Sequence, residues 1–225
     1  ASAIGGCLRN LSAGEMVEQI IQIENKENLR IRNIVLMGSG EPFDNYQQVI
    51  RFLEVVTDPQ GLDKGKRHIS ISTSGIVPKI YDFAEYDNQY HLSISLHSPF
   101  QKVREKLMPI GKKHSLEELM KACLYYEQKT NRKITFEYAM IKDVNDDAQS
   151  ARELANILKP FSLAMVNLIA VNEVKEKNYY KSNEKTIEHF RSILRKNGVH
   201  VTVRRKLGSS INAACGQLRR GERQS

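Results

Sequence analysis

The sequence predicts an α/β fold built on a parallel sheet. Short apolar runs of strand length alternate along the chain with longer segments of helical period, the pattern of successive βαβ units. Ser12 and Ser115 each precede a glutamate by three residues, Glu15 and Glu118, at the head of such helical segments; that spacing is the capping-box signature of a helix start. The Gly, Ser, His and Asn residues that interrupt this alternation fall directly after strand-like runs, where parallel sheets assemble their sites.

The elements follow in order. Ser12-Ala13-Gly14-Glu15 opens a helix running to about Glu24, with Met16, Val17, Ile20 and Ile21 on one side. Residues 34–37 form a short apolar strand, and Asn45 caps a helix carrying Val49, Ile50, Leu53 and Val56. Residues 68–72 alternate as a strand around Ile69 and Ile71, and a helical stretch follows Pro78. Residues 92–96 are the next strand, with a short helix around 102–107. The box at Ser115 precedes Leu116, Leu119, Met120, Cys123 and Leu124 in helical register. Residues 134–141 are rich in strand formers, and Ala151, Leu154, Ala155 and Leu158 share one face of a helix over 148–158. A strand over 163–169 leads to a helix capped by Ser182, bearing Ile187, Phe190, Ile193 and Leu194 and ending at Gly198. A last strand covers 199–205.

The length of 225 residues suits one α/β domain or a large part of one, and 40% hydrophobic residues suffice for a core. No apolar run approaches the ~20 residues that span a bilayer, so no membrane partner is expected. Three scattered cysteines (Cys7, Cys123, Cys215) argue for a reducing, cytoplasmic setting. None pairs at C-x-x-C spacing, so this stretch carries no metal signature. The net charge of +8 suits a polyanion such as RNA, as it also suits a plain basic surface. Arg204, Arg205, Lys206, Arg219, Arg220 and Arg223 concentrate that charge around Cys215.

Five loop motifs carry candidate chemistry. Gly38-Ser39-Gly40-Glu41-Pro42 follows the first strand; its glycines admit a ligand to the backbone, and Glu41 can accept from an ammonium group. An ordinary βα turn reads the same way. Ser72-Thr73-Ser74-Gly75 offers hydroxyls for a ribose or carboxylate, or else a cap and turn. Ser95-Leu96-His97-Ser98-Pro99 places Ser95 and His97 where a strand emerges, although a lone His is more often structural. Asn167 and Asn172 bracket the end of the fifth strand, with Asn172 better placed to read a nucleoside edge; capping or turn formation is the plainer role for both. Cys215 lies in a loop after the last strand, among Gly, Ser, Asn and Gln, as a candidate nucleophile or group carrier. Cys123 belongs to a core-facing helix and Cys7 is incidental.

These motifs, in this order, resemble the RlmN/Cfr family of radical S-adenosylmethionine (SAM) RNA methyltransferases. The resemblance rests on Arg9-Asn10-Leu11, Met37 to Pro42, Ser72 to Gly75, Ser95-Leu96-His97, Glu137-Tyr138, Val144-Asn145-Asp146, Asn167-Leu168-Ile169 and Ala213-Ala214-Cys215-Gly216-Gln217-Leu218. It runs almost from end to end, and Gly40-Glu41-Pro42 favours the RlmN branch. It implies a partial (βα)6, TIM-like barrel over residues 1–225, with the first strand and an N-terminal accessory domain missing. It further implies SAM contacts from Gly40, Glu41, Ser72, Ser95, Leu96, His97 and Asn172. Cys215 matches the cysteine methylated by a first SAM. A second SAM, cleaved at a 4Fe–4S cluster, gives a radical that takes hydrogen from the S-methyl group, and the carbon radical adds to carbon 2 of an adenine in 23S rRNA or tRNA. The implied partners are those RNAs and an electron donor such as flavodoxin, acting on a monomer.

The family's C-x-x-x-C-x-x-C cluster motif is absent from these residues, and the resemblance expects it immediately before Ala1. The chain therefore reads as a C-terminal fragment, inactive by itself. A clusterless RNA-binding relative, carbon 8 methylation, and a barrel enzyme using Cys215 as an ordinary nucleophile are the competing readings.

Overall fold

The computed structural model describes residues 8–86, 89–171 and 179–204. Along the chain run α1 (Ala13–Glu27), β1 (Ile34–Leu36), α2 (Tyr46–Thr57), β2 (Ile69–Thr73), α3 (Val77–Glu85), β3 (His91–Ser95), α4 (Gln101–Leu107), α5 (Leu116–Thr130), β4 (Ile134–Met140), α6 (Ala148–Leu158), β5 (Met165–Ala170), α7 (Glu184–Lys196) and β6 (His200–Val203). The six strands make one sheet in the order β1-β2-β3-β4-β5-β6, and every neighbouring pair is parallel. Parallel neighbours need a crossover, and each crossover here carries at least one helix.

Period-2 alternation sorts the strand side chains between two faces. Ile69, Ile71, Leu92, Ile94, Ile134, Phe136, Tyr138, Met140, Val166 and Leu168 are all fully buried. They form one cluster with Phe52 and Leu53 of α2, Ile80 and Phe83 of α3, Leu119 and Cys123 of α5, Leu154 of α6, and Phe190 and Leu194 of α7. The opposite face of the sheet carries Ser70, Ser72, Ser93, Ser95, Thr135, Glu137, Asn167 and Thr202. A layer of helices thus covers the apolar face, and the polar face is left to a site.

That polar face is concave. In a flat sheet, five strand spacings of ~4.8 Å would hold β1 and β6 about 24 Å apart. Yet the guanidinium of Arg204, just beyond β6, lies 3.5 Å from the thioether of Met37, just beyond β1. No hydrogen-bonded ladder joins β1 to β6 among the described residues. The βαβ pattern predicts the parallel sheet, and its curl gives the partial barrel that the family resemblance implies. Among the described residues no helix is long and apolar enough to cross a membrane.

Local signals decide several boundaries. Both capping boxes form, at Ser12 with Glu15 and at Ser115 with Glu118. The first helix continues beyond Glu24 to Glu27 and stops where Asn28 turns left-handed at φ +47°. Two expected caps do not form. Asn45 precedes α2 but makes no side-chain cap; its amide donates to the Leu11 carbonyl at 2.7 Å. Ser182 is fully buried and donates to Asp146 at 2.7 Å, so Asn183 caps α7 by accepting from Thr186 N–H.

Candidate functional site

The site is built from the loops that leave β1, β2 and β3. After β1, Gly40 takes φ +121°, a conformation that side chains rarely adopt, and a Cβ there would meet nothing within 4 Å. The backbone is open to a ligand at that point. Glu41 turns back into the protein: one oxygen accepts from Phe43 N–H at 3.0 Å, starting the turn Pro42–Asn45. Its other oxygen accepts from Ser74 N–H at 2.6 Å, across to the loop after β2. Glu41 is therefore a loop clamp, with lone pairs remaining for a further donor.

In the loop after β2, Thr73 Oγ1 accepts from Gly75 N–H at 3.1 Å, the turn motif that the sequence also allows. Ser72 is buried on the concave face, and its hydroxyl has no hydrogen-bond partner among the described residues. Ser95, at the end of β3, has none there either.

The loop after β3 is locked by residues of β4 and beyond. His97 is left-handed at φ +59°. Its N–H and that of Leu96 both donate to the Glu137 carbonyl, at 3.3 and 3.0 Å. Its Nδ1 accepts from Ala139 N–H at 3.1 Å, so the neutral ring carries its proton on Nε2. Asn145 is fully buried and satisfied. Its amide donates to the carbonyls of His97 and Ala139, both at 2.7 Å, and its oxygen accepts from Ile141 N–H at 2.8 Å. Burial, and then the charge of Arg104, push His97 down to about 4. Protonating Nδ1 would also set two donors face to face.

A polar row crosses the concave face beside Ser95. Ser95 is in register with Glu137, Glu137 with Asn167, and Asn167 with Thr202. Thr202 donates to the Asn167 oxygen at 3.0 Å, and the Asn167 amide donates to Glu137 at 3.1 Å. Glu137 is 5% exposed, and no cation pairs with it among the described residues. Burial raises its pKa, opposed by Asn167 and the more distant Arg204.

The structure thus gathers Gly40, Glu41, Ser72, Ser95 and His97 at the C-terminal ends of three adjacent strands. The Leu96 side chain is fully buried in the core, because period 2 turns it away from the concave face, which leaves its backbone as the part that can meet a ligand. Asn167 is neither cap nor turn; it sits within β5, in the polar row. Asn172 and Cys215 lie outside the described residues, as do Cys7 and the basic residues from 205 onward. Cys123 is core, with burial pushing its thiol up. Three groups escape sequence reasoning as site parts: Glu137, Asn145 and Arg104. Glu137 leaves a trace, since Thr135, Glu137 and Ala139 alternate with buried Ile134, Phe136, Tyr138 and Met140.

Comparison with known proteins gives this geometry a family context. A model of the radical SAM superfamily matches residues 3–155. A protein of Caldanaerobacter subterraneus named as a probable dual-specificity RNA methyltransferase RlmN is 56% identical over 220 residues, 98% of this chain and 64% of its own length. One of the same name from Clostridium beijerinckii is 53% identical, over 98% of this chain and 62% of its own length. The chain therefore spans a little under two thirds of these relatives. A crystal structure of a radical SAM methyltransferase from Sphaerobacter thermophilus superposes with a TM-score of 0.89 at 40% identity, covering 94% of this chain and 63% of that one. A domain of pyruvate-formate lyase-activating enzyme from Bacteroides vulgatus shares the fold at a TM-score of 0.61 and 16% identity, covering 77% of this chain and 99% of that one.

Proposed function

The chain belongs to the radical SAM superfamily, and on that premise we propose that it is the barrel portion of an RlmN-type enzyme that methylates carbon 2 of an adenine in 23S rRNA and tRNA. The observation that carries this reading is a coincidence of place. Gly40, Glu41, Ser72, Ser95 and His97, chosen from the sequence one motif at a time, share one end of one sheet.

The residues present suit SAM. The open backbone at Gly40 admits its polar end, and the hydroxyls of Ser72 and Ser95, without a hydrogen-bond partner among the described residues, can bond it. Neutral His97 keeps the third loop in place, with Nε2–H left as a donor. Bound SAM, used with the superfamily's 4Fe–4S cluster, supplies the methyl group and the radical chemistry. Among the described residues no group of three His, Cys, Asp or Glu side chains could hold a metal ion.

Cys215 is the proposed methyl carrier. An amidine carbon is a poor nucleophile, and a thioether stage divides a difficult transfer into two steps. RNA is the substrate, an electron donor such as flavodoxin serves the enzyme, and the enzyme works as a cytoplasmic monomer.

The test uses the full-length protein, prepared anaerobically with SAM carrying a labelled methyl group and with rRNA or tRNA transcripts. Nucleoside mass spectrometry is expected to find 2-methyladenosine, and peptide mapping to find S-methyl on Cys215. Cys215→Ala is expected to abolish both. The 8-methyl isomer would move the enzyme to the Cfr branch. RNA binding in a complete native protein free of iron and sulfide would replace the catalytic reading with that of a clusterless RNA binder.

A further inference from the structure

Arg104 on α4 is a cation buried in the protein interior. It is 0% exposed. Its Nη2 donates to the Ser74 carbonyl at 2.8 Å, while Nε and Nη1 are buried with no hydrogen-bond partner among the described residues. No carboxylate pairs with it among the described residues. The guanidinium occupies a slot between two glycines: a Cβ at Gly75 would lie 3.1 Å from Nη2, and one at Gly111 would lie 3.1 Å from Nη1.

An unpaired buried guanidinium is a poor stabiliser. Desolvation costs more than one hydrogen bond returns, and an apolar side chain of similar volume in such a place is often neutral or better. Its value must lie in what it holds. Ser74 is gripped at both ends of its backbone: its N–H by Glu41 from the loop after β1, and its carbonyl by Arg104 from the helix after β3. Ser72 stands two residues upstream. One residue therefore ties the loop that carries Gly40 and Glu41 to the loop that follows Ser72 and to the helix that follows the loop after Ser95. The charge of Arg104 also reaches His97 in the third loop.

We propose that Arg104 is a positioning residue for SAM binding, which fixes the loop after β2 through the Ser74 carbonyl and so holds the three strand-end loops in one arrangement. The proposal rests on the reading that those loops bind SAM.

The test uses the full-length, cluster-loaded protein and its variants Arg104→Met and Arg104→Lys. SAM and S-adenosylhomocysteine affinities come from calorimetry, KM and kcat from methyl transfer, and backbone protection around Ser74 from hydrogen exchange. For Arg104→Met, SAM affinity is expected to fall and its KM to rise about tenfold or more, the loss of one charge-assisted hydrogen bond. At saturating SAM, kcat and the RNA KM should hold, exchange around Ser74 should quicken, and the melting temperature should stay level or rise. Arg104→Lys, which keeps a cationic donor, should recover part of the affinity. Wild-type SAM affinity in Arg104→Met would overturn the proposal. So would failure of that variant to fold, since the guanidinium would then serve the fold itself. Ser72→Ala and Glu41→Gln separate the two claims. If both bind SAM normally, the loops are not the SAM site; if both weaken it and Arg104→Met does not, Arg104 alone has been misassigned.

Discussion

His97 shows how burial converts a titratable residue into a structural one. Its folded pKa of about 4 lies below the ordinary 6.5. Between these values the unfolded chain takes up a proton that the folded chain refuses. Stability is therefore fully present above the ordinary value and is lost as pH falls toward 4, by up to about 3 kcal/mol. An NMR titration of the ring should find it neutral at pH 5, and His97→Gln should flatten the acid limb of the stability curve. A ring titrating near its ordinary value would sink the assignment. Glu137 has the opposite sign. Its folded pKa is raised, so burying it costs nothing below the ordinary carboxylate range and the cost grows as pH rises through the raised value. Glu137→Gln should accordingly stabilise the protein at pH 7, with the gain vanishing near pH 4. Chemical denaturation at the two pH values reads this directly, and an equal effect at both would reject it. If the same variant loses SAM or RNA affinity, the carboxylate is kept for binding at the expense of stability. Strand alternation makes the outward turn of Glu137 readable in the sequence. No local pattern marks Arg104, which sits among Gln101, Lys102, Glu105 and Lys106 like any surface cation.

At the scale of elements, short-range signals succeed where the partners are near in the chain. The boxes at Ser12 and Ser115 each close within three residues, and both form as read. Ser12→Ala and Ser115→Ala should each lower stability by ~1 kcal/mol. The double variant should lose the sum to within ~0.5 kcal/mol, because the sites share no partner. Thermal or urea unfolding of the three variants checks both statements; a loss in neither single variant would mean the caps are ornamental. The same residue types mislead where a distant group competes. Asn45 is drawn from its cap by the Leu11 carbonyl, 34 positions away, and Ser182 by Asp146, 36 positions away. Strand ends slip by one or two residues for a related reason. The pairing partner fixes where a strand begins, as when Met165 pairs with Thr135 and leaves Leu163 outside β5.

For the whole molecule, the net charge of +8 sets an expectation for RNA binding. Affinity of the full protein should fall steeply with salt, on the order of 10³-fold between 50 and 200 mM if about six phosphates are contacted. A salt-insensitive affinity, measured by titration at several ionic strengths, would remove the electrostatic account. Composition and periodicity alone determine the α/β class, the order of the thirteen helices and strands found among the described residues, and the buried face of α1, α2, α5, α6 and α7. They do so because each depends on residues within a few positions of one another. Only the tertiary structure decides how that order becomes a site. The curl that brings Arg204 to Met37 spans 167 positions, and the links from Glu41 to Ser74 and from Asn145 to His97 span 33 and 48. Contacts of that range form only once the sheet has been assembled, so the sequence can name the residues of the concave face but not which of them hold one another in place.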